Sequence, residues 1–190
     1  MEKILFVNAC PRECSRTLEL ANYALSKLEG EVTQLLLFEE NLLPLNAKTL
    51  ALRDKMIAAG KYDHPLFKYA RQFIEADRIV LAAPFWDLSF PSVVKVYIEY
   101  LMALGLTFGY TEEGLPKGNC SARQLVLIST AGGPVGQVHL GFAYLKALAE
   151  RYFGIPEMLC FCAEKLDIVG ADVEAILAGT RAEIDAWGGK

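Results

Sequence analysis

The sequence predicts a doubly wound α/β domain, an open five-stranded parallel sheet with helices on both faces and strand order 2-1-3-4-5. Three observations predict it. Short, apolar, branched-rich runs alternate with helical patterns from one end of the chain to the other. The runs are almost continuously hydrophobic, as parallel strands covered on both faces are. The 190 residues suit one domain and show no repeat, low-complexity tract or linker.

Residues 3–9, 32–38, 78–83 and 124–130 read as buried strands, and 157–163 follows Pro156 as a fifth. Helical patterns cover 17–28, 48–76 in two pieces, 91–104, 138–153 and 171–187. Right-handed crossovers between such elements give an open sheet, and five strands so connected suggest the flavodoxin-like order. A sheet of this kind binds ligands at the carboxyl ends of its strands. The loops after the first, third and fourth strands are therefore where chemistry is expected.

Composition narrows the function. Apolar residues make up 53% and charged residues 22%, which excludes disorder. The net charge of −4 is mild and no basic stripe occurs, so no nucleic-acid partner is expected. A weak charge also argues against an electron carrier steered by a strong acidic field. Met1-Glu2-Lys3 runs straight into an apolar strand, and no window nears ~18 apolar residues, so a cytoplasmic protein without a membrane span is expected. Five cysteines are present. Cys160 and Cys162 lie on one face of a strand, ~6.6 Å apart and too awkward to bridge, while Cys10 and Cys14 could approach in a loop. There is no C-x-x-C and the two histidines are distant in sequence, so no metal site is expected. His64, between Asp63 and Pro65, reads as surface.

The first loop, Asn8 to Thr17, ends in Ser15-Arg16-Thr17 at a helix start. Ser15 is an N-cap, and free N–H groups, hydroxyls and the Arg16 or Arg12 charge could hold an anion. A capped helix with surface arginines is the plain alternative. No G-x-G-x-x-G or G-x-x-x-x-G-K-[ST] occurs, so a single terminal phosphate fits better than a pyrophosphate. After the third strand comes Pro84-Phe85-Trp86-Asp87-Leu88-Ser89-Phe90-Pro91, whose two aromatics can flank a planar ring or else plug the core. Pro91 suits the first turn of the next helix. After the fourth strand, Ser129-Thr130-Ala131-Gly132-Gly133-Pro134 offers glycines that let a backbone approach a ligand, or a simple turn.

At these residues the chain resembles the flavodoxin-like NAD(P)H-dependent FMN reductases, the group of quinone reductases and azoreductases. Pro84 to Pro91 with Lys95 resembles that family's flavin-ring loop. The stretch Leu106-Thr107-Phe108-Gly109-Tyr110-Thr111 to Gly114, then Lys117-Gly118, is similar to its next signature. Ser129 to Gly133 resembles the second flavin loop, and Ser15-Arg16-Thr17 the phosphate loop. Coverage is nearly complete and weakest over 41–69. Two departures stand out. Ala9 and Cys10 occupy positions where some members carry serine, and Asp87 replaces a neutral polar side chain.

The resemblance implies a homodimeric enzyme with bound FMN and with NADH or NADPH as co-substrate. It implies ping-pong reduction of a quinone, or of azo or nitro compounds, and a pocket walled by Phe108 and Tyr110. The alternative is a flavodoxin-type FMN electron carrier that does not oxidise NAD(P)H. Gly132 and Gly133 N–H groups could stabilise charge on a reduced ring. His139 resembles a histidine that donates a proton or offsets flavin charge, against a plain helix-start residue facing solvent. Residues 91–104 are apolar almost all round, with Lys95 and Glu99 as the polar strip, so a second subunit is expected to cover part of that helix. Residues 41–69 of the same chain are the other possible cover.

Overall fold

The computed structural model describes residues 1–136 and 139–190. In chain order the strands are β1 (Lys3–Asn8), β2 (Glu31–Leu36), β3 (Arg78–Ala82), the short pair β4 (Phe108–Tyr110) and β5 (Pro116–Gly118), β6 (Gln124–Thr130) and β7 (Glu157–Ala163). The helices are α1 (Arg16–Leu25), α2 (Ala47–Ala58), α3 (Lys68–Glu75), α4 (Ser92–Leu101), α5 (Leu140–Leu148) and α6 (Val173–Trp187). The main sheet runs β2-β1-β3-β6-β7, all parallel, which is the expected 2-1-3-4-5 order. The antiparallel β4–β5 pair stands apart from it.

Successive side chains of a strand point to opposite faces, and here both faces are covered. Leu5, Val7, Ile79, Leu81, Leu125 and Leu127 pack with Phe73, Val94, Tyr97 and Phe153 on one side. Ile4, Phe6, Val80, Val126 and Ile128 pack with Leu20, Ala24, Leu177 and Ile184 on the other. Continuous hydrophobicity along the central strands is the sequence trace of those two layers.

The second strand departs from expectation. It was expected to be buried, yet of β2 only Leu35 is, and Val32 is 45% exposed. It is the sheet edge, next to β1 alone, so neither face is fully roofed. The helix expected over 91–104 stops at Leu101. Thr107 Oγ1 bonds the Leu101 carbonyl, and Gly105 turns the chain with a φ of +81°, where a Cβ would meet the Tyr62 hydroxyl. Pro91 caps that helix from outside instead of standing in its first turn. The helix expected over 138–153 begins at Leu140 and continues as a π turn over Ala149–Phe153, with Val138 outside the described residues. Gly154, with a φ of +72°, closes it.

At the amino ends of the strands, Arg78 is wholly buried. It donates to Glu2 Oε1 at 2.9 Å and to Gln124 Oε1 at 2.9 Å, and its guanidinium lies over the Trp187 ring. This ion pair ties β1, β3, β6 and α6 together at the end opposite the carboxyl-end loops. Among the described residues no helix is long and apolar enough to cross a membrane.

Candidate functional site

The carboxyl ends of β1, β3 and β6 open into one cleft of ≈ 520 Å³. Its walls include Ser15, Arg16 and Thr17, then Pro84, Phe85 and Trp86, then Thr130, Ala131 and Gly132. Three separate loops therefore converge on one space.

The first loop is tied down from both ends. Asn8 Oδ1 accepts the Cys10 N–H at 2.9 Å, and Ser15 Oγ accepts the Leu18 N–H as the N-cap of α1. Accepting that bond leaves the Ser15 hydroxyl proton free to donate. Thr17 is buried, and its Oγ1 lies 2.6 Å from Thr130 Oγ1. One hydroxyl donates to the other, and the second proton stays available. Arg12 also lines the cleft. The departure from serine at Cys10 is neutral in charge, because burial pushes that thiol up from its ordinary value. Burial pushes Cys120 and Cys160 up to about 12 and Cys162 to about 11, and all five cysteines are free.

The second loop holds an unusual turn. The Trp86 and Ser89 backbones exchange two hydrogen bonds, of 3.1 and 2.8 Å, across Asp87 (φ 50°) and Leu88 (φ 66°). Positive φ at both central positions is the type I′ pattern, in which glycine or asparagine is usual and leucine is strained. Trp86 is 42% and Leu88 60% exposed, so neither plugs the core. Phe85 is half-buried, and its N–H donates to the Thr130 carbonyl at 2.9 Å, joining this loop to the next. Asp87 and Leu88 do not line the cleft.

In the third loop Ser129 is wholly buried and its hydroxyl has no partner among the described residues. The N–H groups of Gly132 and Gly133 have no acceptor among the described residues, while their carbonyls accept from Asp167 and Lys165. Those bonds, with Leu166 N–H to the Ala131 carbonyl, fasten the segment after β7 along the glycines. A Cβ on Gly132 would come within 2.3 Å of Asp167 Oδ2, whereas one on Gly133 would meet nothing. A side chain at Gly132 would therefore have to displace the Asp167 carboxylate. Leu166 and Asp167 also line the cleft, and sequence reasoning missed them. No motif marks the last loop, and its place there is set by backbone pairing to β6.

His139 is half-buried and does not line the cleft. It is the N-cap of α5, with Nδ1 accepting the Phe142 N–H at 3.1 Å. Its ring meets Phe85 edge-on, with centroids 4.8 Å apart. Nδ1 as acceptor puts the proton on Nε2 in the neutral ring, and Nε2 is buried without a partner among the described residues. Burial lowers its pKa, which favours that neutral form. His64, read as surface, is half-buried and accepts the Leu66 N–H at a 3-10 turn.

The pocket expected from Phe108 and Tyr110 is not assembled within one chain. Phe108 is buried against Tyr152 at 5.3 Å, Tyr110 is 55% exposed, and neither lines the cleft. Among the described residues no three His, Cys, Asp or Glu side chains could hold a metal. What the cleft offers is arginines and hydroxyls from the first loop, a half-open aromatic wall, and backbone donors that have no acceptor among the described residues.

A family model described as flavodoxin-like fold matches residues 2–187. FMN-dependent NADH:quinone oxidoreductase 2 of Clostridium acetobutylicum is 40% identical over 192 aligned positions, covering 95% of this chain and 94% of that one. The crystal structure of an azoreductase from Bacillus anthracis strain Sterne superposes with a TM-score of 0.86 at 27% identity, covering 100% and 99% of the two chains. An FMN-dependent NADH-azoreductase from the Ames Ancestor strain, solved in complex with FMN, shares the fold with a TM-score of 0.84 at 21% identity and 99% and 98% coverage.

Proposed function

The chain belongs to the family of flavodoxin-like fold, and from that membership we propose that it is an FMN-dependent oxidoreductase that takes hydride from NADH and reduces quinones, or azo and nitro compounds, by a ping-pong route. One observation carries the reading. Loops from three strands meet in a single cleft with cations at one end and exposed aromatic surface at the other.

The residues fit the cofactor. Ser15, Thr17, Arg16 and Arg12 would hold its phosphate, with the first N–H groups of α1 adding to their field. Phe85 and Trp86 would flank the ring, held by the bond from Phe85 N–H to Thr130. The free N–H groups of Gly132 and Gly133 would face the ring edge where negative charge gathers on reduction. FMN, when bound, supplies the chemistry of hydride acceptance and two-electron return. The protein positions it and leaves one face open to NADH and acceptor in turn.

Within this reading His139 is a positioning residue, because it reaches the cleft only through Phe85. As a neutral ring it offers a hydrogen-bond donor and adds no positive charge. The charge of Asp87 stays outside the cleft, on the tip of its turn.

We further read the active enzyme as a homodimer. Residues 41–69 do cover one flank of α4, since Tyr100 bonds the Leu43 carbonyl and packs on Tyr69. Trp86, which lines the cleft, and Leu88, Leu104, Tyr110 and Leu115 remain exposed, and a second copy would cover them and bring aromatic walls to the pocket. Anaerobic NADH should bleach the protein's flavin absorbance, and a quinone should restore it, with parallel double-reciprocal lines in the steady state. Intersecting lines, or flavin that NADH leaves oxidised, would count against the proposal.

A further inference from the structure

Arg16 and Asp167 face each other in the cleft, with Nη1 3.0 Å from Oδ1. Arg16 is on the helix that starts the phosphate loop, and Asp167 is on the loop after β7. Both side chains of this ion pair are solvent-exposed, Arg16 at 43% and Asp167 at 72%, so neither is locked in place. The Asp167 backbone is held by its own N–H to the Gly132 carbonyl and by the flanking bonds of Lys165 and Leu166, which keeps its carboxylate within reach of Arg16. Arg12, the other cation of the cleft, has no carboxylate within salt-bridge distance among the described residues.

We propose that Asp167 is an exchangeable counter-ion for Arg16 and thereby a specificity-determining residue of the cleft. It holds the guanidinium until a ligand bearing a terminal phosphate monoester takes its place. The inference rests on the FMN reading above, and it adds a residue that the loop motifs do not include. Exposed ion pairs carry little net stability, because both partners are well solvated when apart. An arginine–phosphate contact is bidentate and charge-assisted, so a phosphate can displace the carboxylate at a net gain. A ligand with no phosphate gains nothing from Arg16 and leaves the pair closed. Asp167 therefore sets a threshold at this end of the cleft: it lowers the affinity of every phosphate monoester by the strength of the pair that must first open, and leaves phosphate-free ligands unaffected.

The test uses the full chain freed of cofactor, with FMN, riboflavin and inorganic phosphate as probes, titrated by fluorescence quenching and calorimetry. Asp167→Asn keeps the backbone bonds and the side-chain shape, and Asp167→Ala serves as a second variant. Both should tighten FMN and inorganic phosphate by about threefold, the scale of an exposed ion pair. Riboflavin affinity should not change. In an Arg16→Ala background the same substitutions should have no effect on any probe. The inference is overturned if Asp167→Asn weakens FMN or leaves it unchanged, if it alters riboflavin equally, or if its effect persists without Arg16. A wild-type protein that binds no FMN would instead reject the FMN reading itself.

Discussion

The hydroxyl oxygens of Thr17 and Thr130 stand 2.6 Å apart, which joins the loop after β1 to the end of β6 beside the cleft. The first loop and the glycine loop are thus tied to each other. Replacing Arg16 and Thr17 together by alanine is expected to weaken FMN by ~2–4 kcal/mol, less than the sum of two charge-assisted bonds. Fluorescence titration measures it, and unchanged affinity would remove these residues from the phosphate site. Thr17→Val alone should also lower stability by ~1 kcal/mol, because the buried hydroxyl pair is lost.

His139 gives stability a dependence on pH. Its folded-state pKa lies below the ordinary 6.5 because burial disfavours the charged ring. The unfolded chain therefore binds the proton first. The contribution is complete above about 6.5 and declines as pH falls from there towards the folded value. His139→Asn, which can cap α5 without titrating, should flatten that part of the profile. Urea melts on either side of the window test this, and identical slopes for the two proteins would exclude the role.

Leu88 occupies a left-handed conformation that costs a non-glycine residue ~1–2 kcal/mol. Its side chain is 60% exposed, so little packing offsets that cost. Leu88→Gly gives the Asp–Gly pair that type I′ turns favour and should leave thermal stability unchanged or raised by up to about 1 kcal/mol. Leu88→Ala keeps the strain and should not. A marked loss of stability in the glycine variant would show that the leucine is held by contacts beyond this chain's own core.

Arg78 is buried with Glu2 as its only carboxylate partner among the described salt bridges. Glu2→Ala strands that charge and is expected to destabilise by ~3 kcal/mol, whereas Arg78→Met, which removes the buried charge, should cost less. Equilibrium denaturation decides the order. Equal losses would mean that the guanidinium's contact with the Trp187 ring matters as much as its ion pair.

The homodimer predicts a particle near twice the 21.0 kDa of one chain in light scattering at micromolar concentration. A charge placed in the exposed apolar rim, such as Leu104→Glu, should shift it towards monomer and lower quinone turnover. A wild-type monomer with full activity would end that proposal.

Much of this protein was decided by local sequence. Apolar runs such as Leu125 to Ile128 can be satisfied only with both faces covered, and alternation with helices then leaves a parallel sheet as the consistent solution. Ser15 declares a helix start because its side chain caps a neighbour three residues on, and such short-range chemistry is legible in one dimension. Tertiary structure alone decided the rest. Nothing in residues 32–38 says that their strand lies at the sheet edge, since that depends on which strands pair beyond it. Nothing near Asp167 says that it stands over Gly132 and against Arg16, 151 positions away in the chain. His139 reads in sequence as either a proton donor or a helix-start residue, and only the tertiary structure shows it capping α5 with its ring against Phe85. Contacts of long range are set by the packing of the whole sheet, and a single sequence records them only as residues whose partners are not yet known.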